Sequence, residues 1–228
     1  REVKEAGLSR VAGSLYGADA STHVAFRAFR GSFDWTMRII RFAIECGLSL
    51  QINTTMSRRT LPFIEAMARR VREFPIALWA VFFLVRTGRG ASLDQVTPEQ
   101  CEDVLTYLYH LSLTAPFGIK TTEAPHFHRV IRQGEHELAN HHVLTSENHS
   151  LRLRSPRSVN DGNGFVFVDR LGDVCPSGFL PMPRGNVRTD DLVSIYRDDE
   201  IFRRLRDPDA LMGTCGRCEF RTVCGGSR

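Results

Sequence analysis

Ile76-Ala-Leu-Trp-Ala-Val-Phe-Phe-Leu-Val85 runs for ten residues without a charge, a glycine or a proline. A continuous apolar run of this length, rich in β-branched and aromatic residues, is the pattern of a strand buried on both faces, as in a parallel sheet. Parallel strands need helical crossovers between them, so the flanks should read as helices. They do. Upstream, Thr60 to Glu73 places Leu61, Ile64, Met67, Ala68 and Val71 on one helical face. Before it, Leu48 to Thr55 reads as a strand, and Phe33 to Cys46 as a helix with Phe33, Met37, Ile40, Ala43 and Ile44 at helical spacing, closed by Gly47. Further back lie a short helix to Arg27 capped by Ser21 or Thr22, a strand over Arg10 to Leu15, and a helical end over Glu2 to Ala6. Downstream, Thr97-Pro98-Glu99-Gln100 joins a cap to a proline in the first turn, predicting a helix to about Leu113. Phe117 to Thr121 is then a strand, and Pro125 to Gln133 a helix.

The alternation implies βαβ units and an α/β fold with a parallel sheet. In such sheets ligands bind beyond the carboxyl ends of the strands. Ser14 to Gly17, Asn53 to Thr55, Arg86 to Gly90 and Thr121 to Glu123 therefore form one candidate lip.

Residues 134 to 162 are polar and aperiodic and read as a long loop. Gly164 to Cys175 alternates around a turn at Arg170 to Gly172, a hairpin signature. Leu192 to Leu205 reads as short helices interrupted near Asp198-Asp199. The chain then reaches Cys215-Gly-Arg-Cys218-Glu-Phe-Arg-Thr-Val-Cys224, a C-x2-C-x5-C array, with Cys175 forty residues earlier. Four thiolates can wrap a soft metal or an iron–sulfur cluster, and spacing alone does not choose between zinc and iron–sulfur. With no signal peptide pattern in view, metal ligation is preferred to disulfides. Cys46 and Cys101 are isolated beside helices and are expected to be buried structural thiols.

The 228 residues carry a net charge of +4, 25% charged and 42% hydrophobic residues, ordinary for a globular protein. Arginines are spread along the chain apart from Arg152, Arg154 and Arg157, so nothing points to nucleic acid. No apolar run reaches the ~18 residues of a membrane span, and the cytoplasm is the default. The chain opens on Arg1 inside a helical pattern and stops at Arg228 in the turn after the third cysteine, so a piece of a longer protein is expected.

An α/β half, a hairpin ending in cysteine, Cys175-Pro-Ser-Gly-Phe-Leu-Pro, Gly185-Asn-Val-Arg188 and the terminal cysteine array together resemble the radical S-adenosylmethionine (SAM) enzymes with a C-terminal SPASM or twitch domain, on the branch near the haem and haem d1 maturases. The resemblance implies a partial (β/α)6 TIM-like barrel, present as its C-terminal half over 1–133. A linker over 134–162 and a cysteine-rich domain over 163–228 would follow. It implies SAM and a [4Fe–4S] cluster, whose reductive chemistry makes a 5′-deoxyadenosyl radical. The C-x3-C-x2-C loop that holds that cluster is not in this sequence. Carried over by position, Ser14, Asn53, Thr54, Gly88 and Arg89 resemble SAM contacts. Cys175, Cys215, Cys218 and Cys224 resemble auxiliary-cluster ligands, the fourth being Cys175 or a residue past Arg228. Glu123 with His126 or His128 would position or deprotonate substrate. Substrate would be a tetrapyrrole or a ribosomally made peptide, and the electron donor a flavodoxin or ferredoxin. Two carboxylates of the family pattern are missing: Tyr16 stands in Ser14-Leu-Tyr-Gly17 where aspartate is usual, and Val24 follows His23 where aspartate is usual. A metal-stabilised binding domain without radical chemistry is the competing reading.

Overall fold

The structure, a computed structural model, describes residues 2–86, 88–92, 94–140 and 160–226. Two compact units divide the chain: Arg1–Thr122 with Leu138–Arg154, and Glu123–Glu137 with Ser155–Arg228.

The first unit is built on four parallel strands, β1 (Arg10–Ser14), β2 (Ser49–Met56), β3 (Leu78–Phe83) and β4 (Gly118–Thr122), in the order β1-β2-β3-β4. The apolar run that announced the sheet is β3, an inner strand with Trp79, Ala80 and Val81 fully buried. Helix α1 (Glu2–Glu5) precedes β1. The crossovers carry α2 (Ala20–Arg27), α3 (Ser32–Glu45), α4 (Ile64–Arg72, entered by a 3-10 turn over Leu61–Phe63) and α5 (Pro98–Thr114). Sequential parallel order with right-handed crossovers sends successive helices to one side of the sheet. There α3 packs on β1 and β2, and α5 on β4.

The strand period of two then divides the sheet chemically. Along β2 burial alternates strictly: Leu50, Ile52, Thr54 and Met56 are buried beneath the helices, while Ser49, Gln51, Asn53 and Thr55 are half-buried on the other face. Register sets Ser14 beside Asn53, Asn53 beside Ala80 and Ala80 beside Lys120, so these four form one row across the second face.

Helix starts follow local chemistry. The cap of α2 is Asp19, not Ser21 or Thr22: its carboxylate accepts the Thr22 N–H at 2.9 Å, and Thr22 is the return half of the capping box. Thr97 caps α5 as expected, with Gln100 reciprocating and Pro98 in the first turn.

The second unit contains α6 (Phe127–Asn140, its last residues shared with the first unit), the antiparallel pair β5 (Phe167–Val168) and β6 (Val174–Cys175), then α7 (Leu192–Asp198), α8 (Glu200–Arg206), α9 (Gly213–Arg217) and α10 (Arg221–Cys224). The loop expected from residue 134 begins instead as the last two turns of α6, because the polar residues there lie on one face of a helix whose other face carries Val130 and Ile131. Residues 141–159 of that expectation, with Arg152, Arg154 and Arg157, lie outside the described residues, while 160–162 belong to a turn bridged from Asn160 to Asn163. Val174, Ile195 and Phe202 form a buried cluster, with Val166 and Tyr196 against it.

Candidate functional site

The lip at the strand ends starts with β1. Its last residue, Ser14, is half-buried, and its carbonyl accepts from the Thr36 hydroxyl at 3.4 Å. Its neighbour Asn53 accepts the Gln51 amide N–H at 2.7 Å through Oδ1. Among the described residues the Ser14 hydroxyl and the Asn53 amide nitrogen have no partner, so both remain available to a polar ligand.

Thr54 is placed differently from its expectation as a SAM contact. It sits one residue on from Asn53 and so points to the helix-covered face, 1% exposed. Its hydroxyl donates to the Leu15 carbonyl at 3.0 Å and accepts from the buried Trp79 indole N–H at 2.9 Å. An unpaired indole N–H there would cost about 1–3 kcal/mol, which gives Thr54 a structural role. Gly88 and Arg89 open a 3-10 turn over Gly88–Ser92 beyond β3.

The turn after β1 is fastened to α2. Tyr16 N–H donates to Nδ1 of His23 at 3.2 Å, and Arg70 on α4 donates to the Ala18 carbonyl at 2.8 Å. A Cβ on Gly17 would lie 2.3 Å from the His23 backbone nitrogen, so only glycine fits this turn. The Tyr16 ring packs on Phe26 with centroids 4.8 Å apart, and the Arg27 guanidinium lies over it at 5.7 Å. The aromatic residue thus occupies the place of the missing carboxylate by packing on α2. His23 is wholly buried, and burial, aided by the charge of Arg27, lowers its pKa. Neutral, with Nδ1 accepting, it carries its proton on Nε2, which is buried without a partner among the described residues, as is the Ser32 hydroxyl.

Glu123 and His126 lie in the second unit, on the turn into α6. Glu123 adopts φ 63°, the left-handed region that costs a side-chain-bearing residue roughly 1–3 kcal/mol. His128 is half-buried, and burial, then the charge of Arg132, lowers its pKa.

At the other end of the second unit the C-x2-C-x5-C array folds as α9, a turn and α10. Cys218 N–H donates to the Cys215 carbonyl at 3.2 Å, and Arg221 N–H to the Cys218 carbonyl at 3.2 Å. Gly216 is required here, because a Cβ would meet the Leu211 carbonyl oxygen at 2.3 Å. Cys224 is buried, and burial pushes its thiol pKa up, with the negative potential of Cys215 and Cys218 adding to it. Cys175, at the end of β6, is also buried, and its thiol is pushed up by burial and by Asp169 and Asp173. The turn Asn160–Asn163 touches both segments: Asn160 Nδ2 donates to the Cys224 carbonyl at 2.9 Å, and Gly162 N–H to the Pro176 carbonyl at 2.9 Å. None of the six cysteines forms a disulfide. Among the described residues no three His, Cys, Asp or Glu side chains converge closely enough to hold a metal ion, so the donor chemistry fits a soft metal while the thiols stand apart. Cys46 and Cys101 are half-buried rather than buried, because each lies at a helix edge.

No family model matches the chain. Along its whole length it is 37% identical to the AdoMet-dependent haem synthase of Oleidesulfovibrio alaskensis, covering 58% of that protein. It is 36% identical to the AdoMet-dependent haem synthase of Methanosarcina barkeri, covering 64%. The chain is similar in sequence to AdoMet-dependent haem synthases. The resemblance to radical SAM enzymes read from the sequence is borne out, and the chain spans about three-fifths of the length of these curated relatives. Its fold is similar to that of Streptococcus suis SuiB, with a TM-score of 0.62 at 16% identity over 96% of this chain and 50% of SuiB. SuiB has also been solved bound to S-adenosylmethionine and bound to the precursor peptide SuiA. The relation to haem synthases rests on sequence, and the likeness to SuiB supports the α/β fold with its parallel sheet. Among the described residues no helix is long and apolar enough to cross a membrane.

Proposed function

We propose that this chain is the larger part of a radical SAM enzyme that modifies a tetrapyrrole, with an auxiliary [4Fe–4S] cluster in its second unit. The observation that carries the reading is the 36–37% identity to haem synthases along all of the chain. In this reading the four strands belong to a (β/α)6 barrel, and its interior is the helix-free face of the sheet. The Ser14 hydroxyl at the end of β1 and the Asn53 amide nitrogen beside it on β2, both without a partner among the described residues, bind the nucleoside cofactor by hydrogen bonds. SAM with an iron–sulfur cluster supplies hydrogen-atom abstraction; the residues described here bind, orient and exclude water. Cys215, Cys218, Cys224 and Cys175 hold the auxiliary cluster once drawn together. Their segments are already linked through Asn160–Asn163, which favours Cys175 as the fourth ligand. Glu123 and His126, on the turn into α6, are the groups assigned to position or deprotonate the substrate. An external flavodoxin or ferredoxin supplies electrons.

The test is anaerobic reconstitution of the full-length protein with iron and sulfide, followed by spin-resonance spectra of the reduced protein with and without SAM. Two clusters, one altered by SAM, and turnover of an iron porphyrin are expected. A single centre indifferent to SAM would sink the radical reading and leave a metal-stabilised binding domain.

A further inference from the structure

The helix-free face of the sheet has an unusual charge pattern. The strands place two cations on it, Arg10 and Lys120, and no carboxylate. Arg10 is engaged, donating through Nε to the Ser49 hydroxyl at 3.3 Å. Lys120 is not: it is exposed and makes no hydrogen bond or ion pair among the described residues. It ends the row Ser14, Asn53, Ala80, Lys120, level with the two residues assigned to the cofactor. Two strand spacings separate Lys120 from Asn53, roughly 10 Å across the sheet. Between them lies β3, whose Leu78 and Phe82 stand half-buried on either side of the buried Ala80 and form an apolar floor.

We infer that Lys120 binds a carboxylate of the substrate, and that the face from Phe82 to Lys120 takes a flat apolar body edged with acids. The cofactor end is set by β1 and β2, so a cation two strands away addresses a different molecule. The floor offers apolar contact to a ring, and the free ammonium offers a charge-assisted hydrogen bond to an acid at its rim. The absence of any strand carboxylate on this face leaves that ammonium unneutralised and repels no anion. A tetrapyrrole with free propionates fits both features. The inference rests on the tetrapyrrole reading above and adds to it the residue that selects acidic over esterified macrocycles.

The experiment titrates the full-length protein with an iron porphyrin carrying free propionates and with the same macrocycle as its methyl esters, by absorbance, and separately with SAM. The parent should prefer the acid. Lys120→Gln should weaken binding of the acid about tenfold or more, the loss expected for one hydrogen bond to a charged group. It should leave the ester and SAM unchanged, and Lys120→Arg should restore most of the affinity for the acid. A Lys120→Gln protein that binds the acid like the parent overturns the inference and leaves Lys120 as a solvated charge guarding the edge strand β4. A loss confined to SAM overturns it as well and assigns Lys120 to the cofactor. A parent protein that binds neither porphyrin form would refute the tetrapyrrole reading itself, a result distinguishable from failure at Lys120.

Discussion

His23 shows how much one side chain can hold in place. Its Nδ1 accepts from Tyr16 N–H, so the turn that ends β1 keeps its shape only while the imidazole is neutral. Burial first, and the Arg27 charge second, hold its pKa below the ordinary 6.5. The sign follows. The unfolded chain takes up a proton near pH 6.5 while the folded chain does not. The stability His23 contributes is therefore complete above that pH and is lost as pH falls through the lower folded value. A His23→Leu variant should be less stable than the parent at pH 7.5 by about 1–3 kcal/mol, because the Tyr16 N–H loses its acceptor. It should also lose less stability between pH 7 and pH 5 than the parent does. The pKa of His128 is lowered likewise by burial, so urea melts of parent and variant are compared as a difference. A difference that stays constant with pH would show that His23 does not carry the acid sensitivity.

At the scale of elements, Asp199 ends α7 and caps α8. Its carboxylate accepts the N–H groups of Ile201 at 2.9 Å and Phe202 at 3.3 Å, and it takes the Arg184 guanidinium through Nε and Nη2 at 2.9–3.1 Å. Burial pushes its pKa up, but the Arg184 hydrogen bond and the Phe202 N–H outweigh that and hold it below the usual 3.8. Asp199→Ala should destabilise the second unit by about 1–2 kcal/mol, the typical loss of a helix cap. The gap should close as pH falls through the lowered pKa, because protonation removes the same charge that the mutation does. A gap in denaturation midpoints that persists at pH 2 would contradict this account. The break at Asp198-Asp199 was legible in the sequence because aspartate is a strong cap. Likewise the β3 run exposed the parallel sheet, since apolar side chains on both faces have few other uses. Thr54 was not legible as a structural residue: a hydroxyl at a strand end looks ligand-facing until the register of β2 shows which face it takes. The extent of α6 was hidden because residues 134–140 read as polar when the period that places their polarity on one face is ignored. The caps of α2 were misread by two or three residues, because Asp19, Ser21 and Thr22 are all competent caps, and the choice depends on the turn geometry fixed by Gly17.

Across the whole molecule the two units are unequally built. The first encloses a four-stranded sheet and the helices α1 to α5, and its buried residues include Trp79, Ile52, Met67, Leu105 and Leu108. The second gathers two two-residue strands and several helices of seven residues or fewer, two of them, α9 and α10, with only five and four. Helices that short do not hold by propensity, and a unit with little regular structure gains most from a staple. The four cysteines assigned to the auxiliary cluster are all in that unit, so that cluster should act there. A ligand at ~1,000 times its dissociation constant stabilises the state that binds it by about 4 kcal/mol. Calorimetry of the full-length protein should therefore show the second unit's transition rise by several degrees on anaerobic loading with iron and sulfide, apart from any rise that the SAM-binding cluster gives the barrel. Cys224→Ser should abolish the rise. Cys175→Ala should abolish it too if Cys175 is the fourth ligand, with fewer irons retained per chain after gel filtration. A rise that survives Cys175→Ala would place the fourth ligand elsewhere, and two unmoved transitions in the loaded parent would remove the cysteine array from the metal chemistry altogether.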